Sequence, residues 1–410
     1  MDIGAVADDF TGATDLATTL RERGRRVVVV IEDRPVDPAL LADADAVVVA
    51  LKTRTAPVAD AVAASLRAVD DLVAAGADRL YVKYCSTFDS TDEGNIGPVL
   101  DAVLSRAEVD RTVVVPSFPA NGRTVRDGLL YVGEDLLEDS SMRQHPLTPM
   151  TKSRVRDILA PQTRAAITEI PLAVVHEGVA ALRGAIDEAQ PGYLVVDAVT
   201  EGDLAVIAAA SSHLRVLSGG AALAAGIDAP AAAAADALAP VGPGRLVVCG
   251  SASRQTRAQL AHAAAAGAAM RRIDLDRAVD HPQDEAAAVA AWVRGLPTDA
   301  VPVVYSVGEL ADVRVGSARV SAAVETVLAS VVAQLVASED VHRILVAGGE
   351  TSGAVVQRLG ISFLEIGPQL APGVCWSNAE TDDGRRVALA LKSGNFGADD
   401  LFTTAWEVLA

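Results

Sequence analysis

The chain has 410 residues, of which 50% are apolar and only 3% aromatic, and its formal net charge is −19. This length allows two or three domains with sizeable cores. The negative charge argues against nucleic acid as a partner, because a phosphate backbone requires a basic surface, but it allows a small anionic substrate held by a few local cations.

The sequence offers neither a membrane span nor a signal peptide. The richest apolar stretch, residues 229–242, is mostly alanine and is interrupted by Asp236 and prolines, so it is too weakly apolar for a bilayer. At the N-terminus, Asp2 and the Asp8–Asp9 pair break the basic-then-apolar pattern of a signal. Three cysteines are spaced too widely for a zinc pattern or a disulfide framework: Cys85, Cys249 and Cys375. We therefore expect a cytoplasmic protein without membrane contact.

Continuous apolar runs recur along the chain and predict strands that are covered on both faces. They occupy 3–8, 26–32, 46–52, 79–85, 111–117, 192–198 and 214–219, then 245–251, 301–307, 343–349 and 387–393. Segments of helical periodicity lie between many of them, such as 13–23, which stops before Gly24. This alternation predicts an α/β fold with mostly parallel sheets.

A stretch rich in alanine, proline and glycine, residues 229–244, is the best candidate for a linker. It divides the chain into a predicted first domain over 1–235 and a second over 236–410, each a three-layer α/β/α unit. Polar, glycine-rich loops follow the strands of both domains, and open α/β sheets bind ligands beyond the carboxyl ends of their strands. The sequence therefore predicts an active-site cleft between the two domains.

Three glycine-containing loops of the second domain favour a nucleotide-phosphate site. They are "GSASRQT" at 250–256, "GGETSG" at 348–353 and "KSGNFG" at 392–397. Gly348 and Gly349 allow backbone amides to face a ligand, and Thr351 or Ser352 is predicted to cap a helix that starts near Gly353. The loops match neither the Walker A pattern nor GxGxxG. Each loop alone is equally well explained as an ordinary strand–helix turn.

Polar loops of the first domain suit a small polyhydroxy acid. Lys83 lies inside a strand run, where an unpaired ammonium is costly, and Asp8 or Asp9 is the expected partner. Asp89 follows the same strand, and Arg123 lies in "SFPANGRT" at 117–124. Cations suit the carboxylate of such an acid, and Asp or Asn side chains suit its hydroxyls. A structural ion pair at Lys83 and a plain turn at Arg123 remain alternatives.

Five motifs, in order, resemble the four-carbon acid sugar kinase family over nearly the whole chain. They are "ADDFTGATD", "KYCSTFDSTDEGNIGPV", "HPLTPMT", "AGGETSGAVVQ" and "LKSGNFG". The second and third are most similar to the 3-oxo-tetronate kinase branch. The resemblance implies a kinase that uses ATP and Mg²⁺ to phosphorylate the 4-hydroxyl of 3-oxo-tetronate, with D-threonate or D-erythronate as alternative acceptors. It places the sugar acid on the first domain and ATP on the second.

The resemblance also implies roles for individual residues. ATP contacts would fall on Ser251, Ser253, Gly348, Gly349, Glu350, Thr351, Ser352 and Gly394. Substrate contacts would fall on Thr11, Lys83, Ser86, Thr87, Asp89, Asn95 and Arg123. Because phosphoryl transfer depends on positioning and charge neutralisation, we expect Asp8 and Asp9 to be the catalytic pair. One of them, with Asp8 as the first candidate, would accept the hydroxyl proton, and the other would orient a hydroxyl or help hold Mg²⁺. The metal ligands are not assigned.

Two other classes of function are compatible with this kind of sheet. An NAD(P)-dependent sugar-acid oxidoreductase is disfavoured because no GxGxxG follows the first strand. A non-catalytic sensor would bind a sugar acid without binding ATP. The oligomeric state stays open, with a homodimer as one alternative.

Overall fold

The computed structural model describes residues 1–31, 41, 44–144, 148–228, 238–309, 312 and 318–409. These residues form two compact units, one reaching residue 228 and the other starting at 238. The predicted boundary between 235 and 236 lies outside the described residues, as do residues 145–147 of the "HPLTPMT" motif. Each unit is described by itself.

The first unit contains a parallel sheet of eight strands and a small antiparallel sheet of three. Its strands are β1 (Ile3–Ala7), β2 (Val27–Ile31), β3 (Ala46–Ala50), β4 (Arg79–Lys83), β5 (Arg111–Val115), β6 (Arg123–Arg126), β7 (Leu129–Val132), β8 (Asp135–Leu136), β9 (Ala166–Ile170), β10 (Gly192–Val196) and β11 (Val216–Gly219). The large sheet has the order β2-β3-β1-β4-β11-β5-β10-β9, and the small sheet consists of β6, β7 and β8.

Helices cover the large sheet, so that β1, β3 and β10 are buried along their whole length. They are α1 (Phe10–Glu22), α2 (Val58–Ala74), α3 (Ile96–Arg106), α4 (Val155–Leu159), α5 (Leu172–His176), α6 (Val179–Glu188) and α7 (Glu201–Ala210). Short 3-10 turns occupy Pro119–Asn121, Leu137–Asp139, Ser141–Gln144, Ala160–Gln162 and Ala221–Gly226. Burial on both faces explains why the strand sequences are continuously apolar.

The second unit has a mixed sheet with the order β13-β14-β12-β15-β18-β17-β16. Its strands are β12 (Arg245–Cys249), β13 (Ala269–Arg272), β14 (Pro302–Tyr305), β15 (Arg343–Ala347), β16 (Phe363–Ala371), β17 (Val374–Glu380) and β18 (Arg386–Lys392). The first five strands in the sheet order run parallel, and β17 and β16 continue the sheet antiparallel. The α/β prediction with mostly parallel sheets is therefore confirmed.

The helices of the second unit are α8 (Arg254–Ala265), α9 (Leu275–Asp280), α10 (Pro282–Arg294), α11 (Ala318–Ala337), α12 (Gly349–Arg358) and α13 (Leu401–Thr404), followed by a 3-10 turn at Ala405–Leu409. The window Arg319–Ala337 of α11 is long and apolar enough to cross a bilayer by length and composition, and half of it is buried inside the protein. The window was not predicted from the sequence, where residues 229–242 were interpreted as the richest apolar stretch. Val327, Val331 and Leu335 are fully buried at helical spacing, as expected of a core helix.

Candidate active site

The carboxyl ends of four neighbouring strands in the first unit lie level with one another. Ala7 of β1 pairs with Ala50 of β3 and Lys83 of β4, and Lys83 pairs with Gly219 of β11. The loops after β1, β3 and β4 therefore leave the sheet from one edge. This edge is where parallel α/β sheets bind ligands.

Arg54, in the loop after β3, joins the acidic side chains of the other loops. Its Nε and Nη2 donate to the two oxygens of Asp8 at 2.8 and 2.9 Å. Its Nη1 lies 2.9 Å from Asp9 Oδ2 and 3.9 Å from Asp89 Oδ2. One guanidinium thus holds three carboxylates, one of them through a bidentate pair. We call Asp8, Asp9, Arg54 and Asp89 the acid cluster.

No role was predicted for Arg54. Its segment, "KTRT" at 52–55, is one of several polar loops that follow the strands. The partners of Arg54 belong to two other loops, 46 and 35 residues away in the chain. The cluster therefore cannot be predicted from residue spacing within one loop. The sequence feature that could have indicated it is an arginine in the loop that follows a buried strand, at the edge where acids were already expected.

Asp9 also caps the helix that follows it. Its Oδ1 accepts from Gly12 N at 2.6 Å, and its Oδ2 accepts from the Thr11 hydroxyl at 3.2 Å. This cap explains why α1 begins at Phe10 rather than at the predicted residue 13. A Cβ at position 12 would lie 2.4 Å from Asp9 Oδ1, so glycine is needed there.

The two adjacent carboxylates have different electrostatic surroundings, although both are mostly buried, with 18% and 24% of the side chain exposed for Asp8 and Asp9. Burial raises the pKa of Asp8, and the negative charge of Asp9 adds to this, against the opposing effect of Arg54. Burial also acts on Asp9, but the charges of Arg54 and Lys83 together with the Gly12 N–H outweigh it and lower the pKa. Asp8 is therefore the better proton acceptor of the two.

Lys83 is buried, but its ammonium is not paired with Asp8 or Asp9 as predicted. Its Nζ donates to the carbonyl of Tyr84 at 2.9 Å and lies 4.0 Å from Asp15 Oδ2 on α1. Burial raises the pKa of Asp15 to about 6, with Lys83 opposing the shift. The expected partners are instead taken by Arg54, whose planar fork fits two carboxylates better than a point charge does.

The loop after β4 carries the other predicted substrate residues. Ser86, Thr87 and Asp89 are each at least 90% buried, and the Thr87 hydroxyl donates to Asp89 Oδ1 at 2.6 Å. A small cavity of about 30 Å³ is lined in part by Asp8, Arg54, Lys83, Asp89 and Asn95. The structure thus brings most of the predicted substrate residues of the first unit to one place.

Asn95 supports the backbone turn that carries Arg54. Its Nδ2 donates to three backbone carbonyls of the turn that carries Arg54: Thr53 at 2.7 Å, Arg54 at 3.3 Å and Ala56 at 2.9 Å. A buried amide that satisfies three carbonyls of one turn fixes that turn. Contact between Asn95 and a substrate remains a prediction.

We expect Asn95→Leu to lower kcat at least tenfold, because the turn would lose its three hydrogen bonds and Arg54 would lose its orientation. Gln162→Leu is the matched control, since Gln162 is also a buried amide that donates to two backbone carbonyls, at Thr91 and Ile158, neither of which belongs to the Arg54 turn. Both variants should lose roughly 1–3 kcal/mol of unfolding free energy. Equal kcat values for the two folded variants would show that the Arg54 turn has no special role.

Arg123 lies at the first position of β6, in the small sheet, where a plain turn had been the alternative. Its guanidinium donates to the carbonyl of Asn121. Within the described residues, no ion pair connects it with the acid cluster. Its contact with a substrate carboxylate therefore remains a prediction.

The second unit has a corresponding edge. Ala347 of β15 pairs with Cys249 of β12 and with Lys392 of β18, so these three strands end level with one another. The loops 250–253 and 393–397, and Gly348 with the first turn of α12, follow directly. The three loops that the sequence analysis assigned to nucleotide phosphates are therefore neighbours.

These loops are packed so closely that their glycines are required. At Gly348, where φ is +130°, a Cβ would lie 3.1 Å from Thr351 Oγ1 and 3.2 Å from Ser251 N. At Gly394 a Cβ would lie 2.3 Å from Ser251 Oγ and 3.0 Å from Ser253 Oγ. The structure thus brings the predicted ATP residues of all three loops together.

The predicted cap of the second glycine loop is wrong. Helix α12 begins at Gly349, with Gly348 at the cap position, so Thr351 and Ser352 lie within its first turn. The Ser352 hydroxyl donates back to the Gly348 carbonyl at 2.8 Å. The helix starts earlier because glycine provides the backbone conformation that ends β15.

Comparisons with known proteins agree with this division. A family model described as a sugar-binding N-terminal domain matches residues 3–227, and one described as a nucleotide-binding C-terminal domain matches 246–402. The chain is 39% identical to a 3-oxo-tetronate kinase of Brucella melitensis, with 100% of this chain and 96% of the relative covered. It is 42% identical to a 3-oxo-tetronate kinase of Cupriavidus necator, with 99% and 97% covered.

A solved structure from Salmonella typhimurium LT2 is similar throughout, with a TM-score of 0.86, 38% identity and 98% of each chain covered. A protein of Haemophilus influenzae gives a TM-score of 0.76 at 35% identity, with 99% of this chain and 100% of that chain covered. The ordered motifs, the fold and the matched domains lead to the same conclusion. The chain belongs to the four-carbon acid sugar kinase family.

Proposed function

We propose that this protein is an ATP-dependent kinase that phosphorylates the 4-hydroxyl of 3-oxo-tetronate. The observation that carries the proposal is the acid cluster at the sheet edge of a unit that matches a sugar-binding domain. Two relatives that cover essentially the whole chain bear the name of this activity. D-Threonate and D-erythronate are the alternative acceptors, because the acid cluster suits any of these hydroxy acids.

Asp8 is the proposed general base. Its raised pKa favours proton uptake, and Arg54 holds both of its oxygens, which fixes the direction of the carboxylate. The pKa of Asp9 is lowered, so Asp9 stays ionised more easily than Asp8. We assign Asp9 to orienting a substrate hydroxyl and Arg54. Lys83, Ser86, Thr87 and Asp89 complete the acid-binding side. Arg123 and Thr11 are retained as proposed substrate contacts.

The glycine loops of the second unit are the proposed site for the ATP phosphates. The first amides of α12 suit negative charge, and Ser251, Ser253 and Gly394 lie against the same loop. Transfer from ATP to the acid requires the two sheet edges to share one cleft, and closure of such a cleft would exclude water and limit ATP hydrolysis. This cleft between the domains is part of the proposal.

Mg²⁺ is the proposed metal. No group of three or more His, Cys, Asp or Glu side chains suited to a metal ion occurs in the described part of the chain. An ion that keeps several waters and is held mainly by substrate phosphates fits this sequence. When bound, it would neutralise the charge on the transferring phosphoryl group. We also propose a cytoplasmic location, and a homodimer remains a prediction.

The test is an ADP-release assay with purified protein, ATP and Mg²⁺. We expect turnover with 3-oxo-tetronate to exceed turnover with threonate or erythronate isomers. A preference for a threonate or erythronate would move the assignment to that acceptor. Sugar-acid-dependent NAD(P)H formation without ADP release would instead support the oxidoreductase alternative, and acid binding without either reaction would support a sensor.

A further inference from the structure

The carbonyl of Gly394, in the loop after β18, accepts hydrogen bonds from three side chains. Ser253 Oγ lies at 2.5 Å, Thr256 Oγ1 at 2.9 Å and Lys392 Nζ at 3.1 Å. A carbonyl oxygen has two lone pairs, so three donors exceed its usual complement. They hold this carbonyl towards the inside of the unit. The following amide N–H, on Asn395, must then point the opposite way, because the peptide group is planar and trans.

Lys392 is the charged member of this group, and it is buried without a counter-ion. Its exposed fraction is 0%, and its partners, the Thr256 hydroxyl at 3.2 Å and the Gly394 carbonyl, are neutral. No ion pair between Lys392 and an Asp or Glu occurs among the described residues. Removing an ammonium from water without an anion beside it is energetically costly. Such a cost at the edge of a ligand site suggests that the ligand supplies the missing charge.

We propose that Lys392 is a positioning residue whose buried ammonium is the counter-charge for the nucleotide phosphates, and that nucleotide binding is therefore coupled to proton uptake. The inference rests on the proposed ATP site in the second unit. Lys392 acts in two ways from behind the 393–397 loop. Its hydrogen bond fixes the Gly394 peptide, and its positive charge attracts the phosphates.

Lys392 is only partly protonated near pH 8.5, which makes the coupling between nucleotide binding and proton uptake measurable. Burial lowers its pKa to about 8, and the titratable group that acts on it within the described residues is the Cys249 thiol of β12. Burial raises the pKa of that thiol to about 12, so the thiol stays neutral near pH 8.5. A nearby polyphosphate favours the ammonium form and raises the pKa of Lys392. The free protein therefore holds less than one proton on Lys392 at pH 8.5 and takes up the remainder when nucleotide binds.

The test is calorimetric titration of the full chain with ADP at pH 8.5 in two buffers of different ionisation enthalpy, such as Tris and Bicine. We expect uptake of roughly 0.7 proton per ADP, from a pKa of about 8, and much less uptake at pH 7, where Lys392 is already protonated. The same measurement on Lys392→Met should show weaker ADP binding and no uptake. Thr256→Val, which keeps the ammonium, should bind more weakly but retain the uptake.

The outcomes separate this inference from the proposed function. Equal enthalpies in both buffers for the wild-type protein would overturn the coupling, and this measurement does not depend on the folding of any variant. Uptake that persists in folded Lys392→Met would assign the proton to another group. Absence of ADP binding in the wild-type protein would instead contradict the proposed kinase itself.

Discussion

Replacing Asp8 with asparagine should lower kcat by about 100- to 10,000-fold, the usual contribution of a positioned base. The change keeps the size of the side chain but removes the proton acceptor and its charge-assisted pair with Arg54. In the wild-type protein, kcat should rise with pH as Asp8 loses its proton. The acid limb of the pH profile of kcat should lie above the ordinary pKa of an aspartate, because burial raises the pKa of Asp8. Steady-state ADP release across the pH range measures both effects.

Asp9→Asn is the matched comparison. Asparagine can still accept from Gly12 N and cap α1, so the fold should persist. We expect a smaller loss of kcat and an acid limb that moves to lower pH, because the charge of Asp9 raises the pKa of Asp8. A large loss in Asp9→Asn with near-normal turnover in Asp8→Asn would reverse the two assignments. Near-normal turnover in both variants would show that neither Asp8 nor Asp9 is the general base.

Replacing Gly348 with alanine should raise the KM for ATP at least tenfold and leave the KM for the sugar acid nearly unchanged. The backbone there has φ of +130°, and the added Cβ would press on Thr351 Oγ1 and on the backbone nitrogen of Ser251. The loop must shift, and its amides with it. Gly267→Ala is the control in the same unit, because φ is +84° there but no atom lies within 4 Å of the new Cβ. Equal ATP KM values for the two variants would mean that the loop does not hold the phosphates.

Most interior strands of both units could be predicted because they are covered on both faces. The buried interior strand β17 was missed, because the polar residues Ser377 and Asn378 interrupt its apolar sequence. Runs such as 46–52 and 343–349 are apolar without alternation, and each contains an observed strand, β3 and β15. The strands that were missed lack this signal. Strand β9 is largely half-buried, and β13 carries two arginines in four residues, so neither stands out as an apolar run.

The candidate site was predictable in its loops but not in its pairings. Polar residues after a buried strand locate Asp8 and Lys83 at one edge, because the edge follows from the parallel sheet. Which acid meets which base depends on side-chain geometry across loops. Arg54, rather than Lys83, pairs with Asp8 and Asp9. Asn95 donates to the backbone carbonyls of the turn that carries Arg54. The start of α12 depended on a glycine conformation at Gly348 that the sequence permits but does not specify.

The proposed function requires that a sugar acid held at the acid cluster meets the nucleotide held at the glycine loops. Paramagnetic relaxation of a ¹³C-labelled sugar acid by Mn²⁺, bound with a non-hydrolysable ATP analogue, tests it directly. We expect enhanced relaxation that is strongest at C4, whose hydroxyl would face the γ-phosphate. Simultaneous binding of both ligands with no enhancement, or with the strongest enhancement at C1, would contradict it.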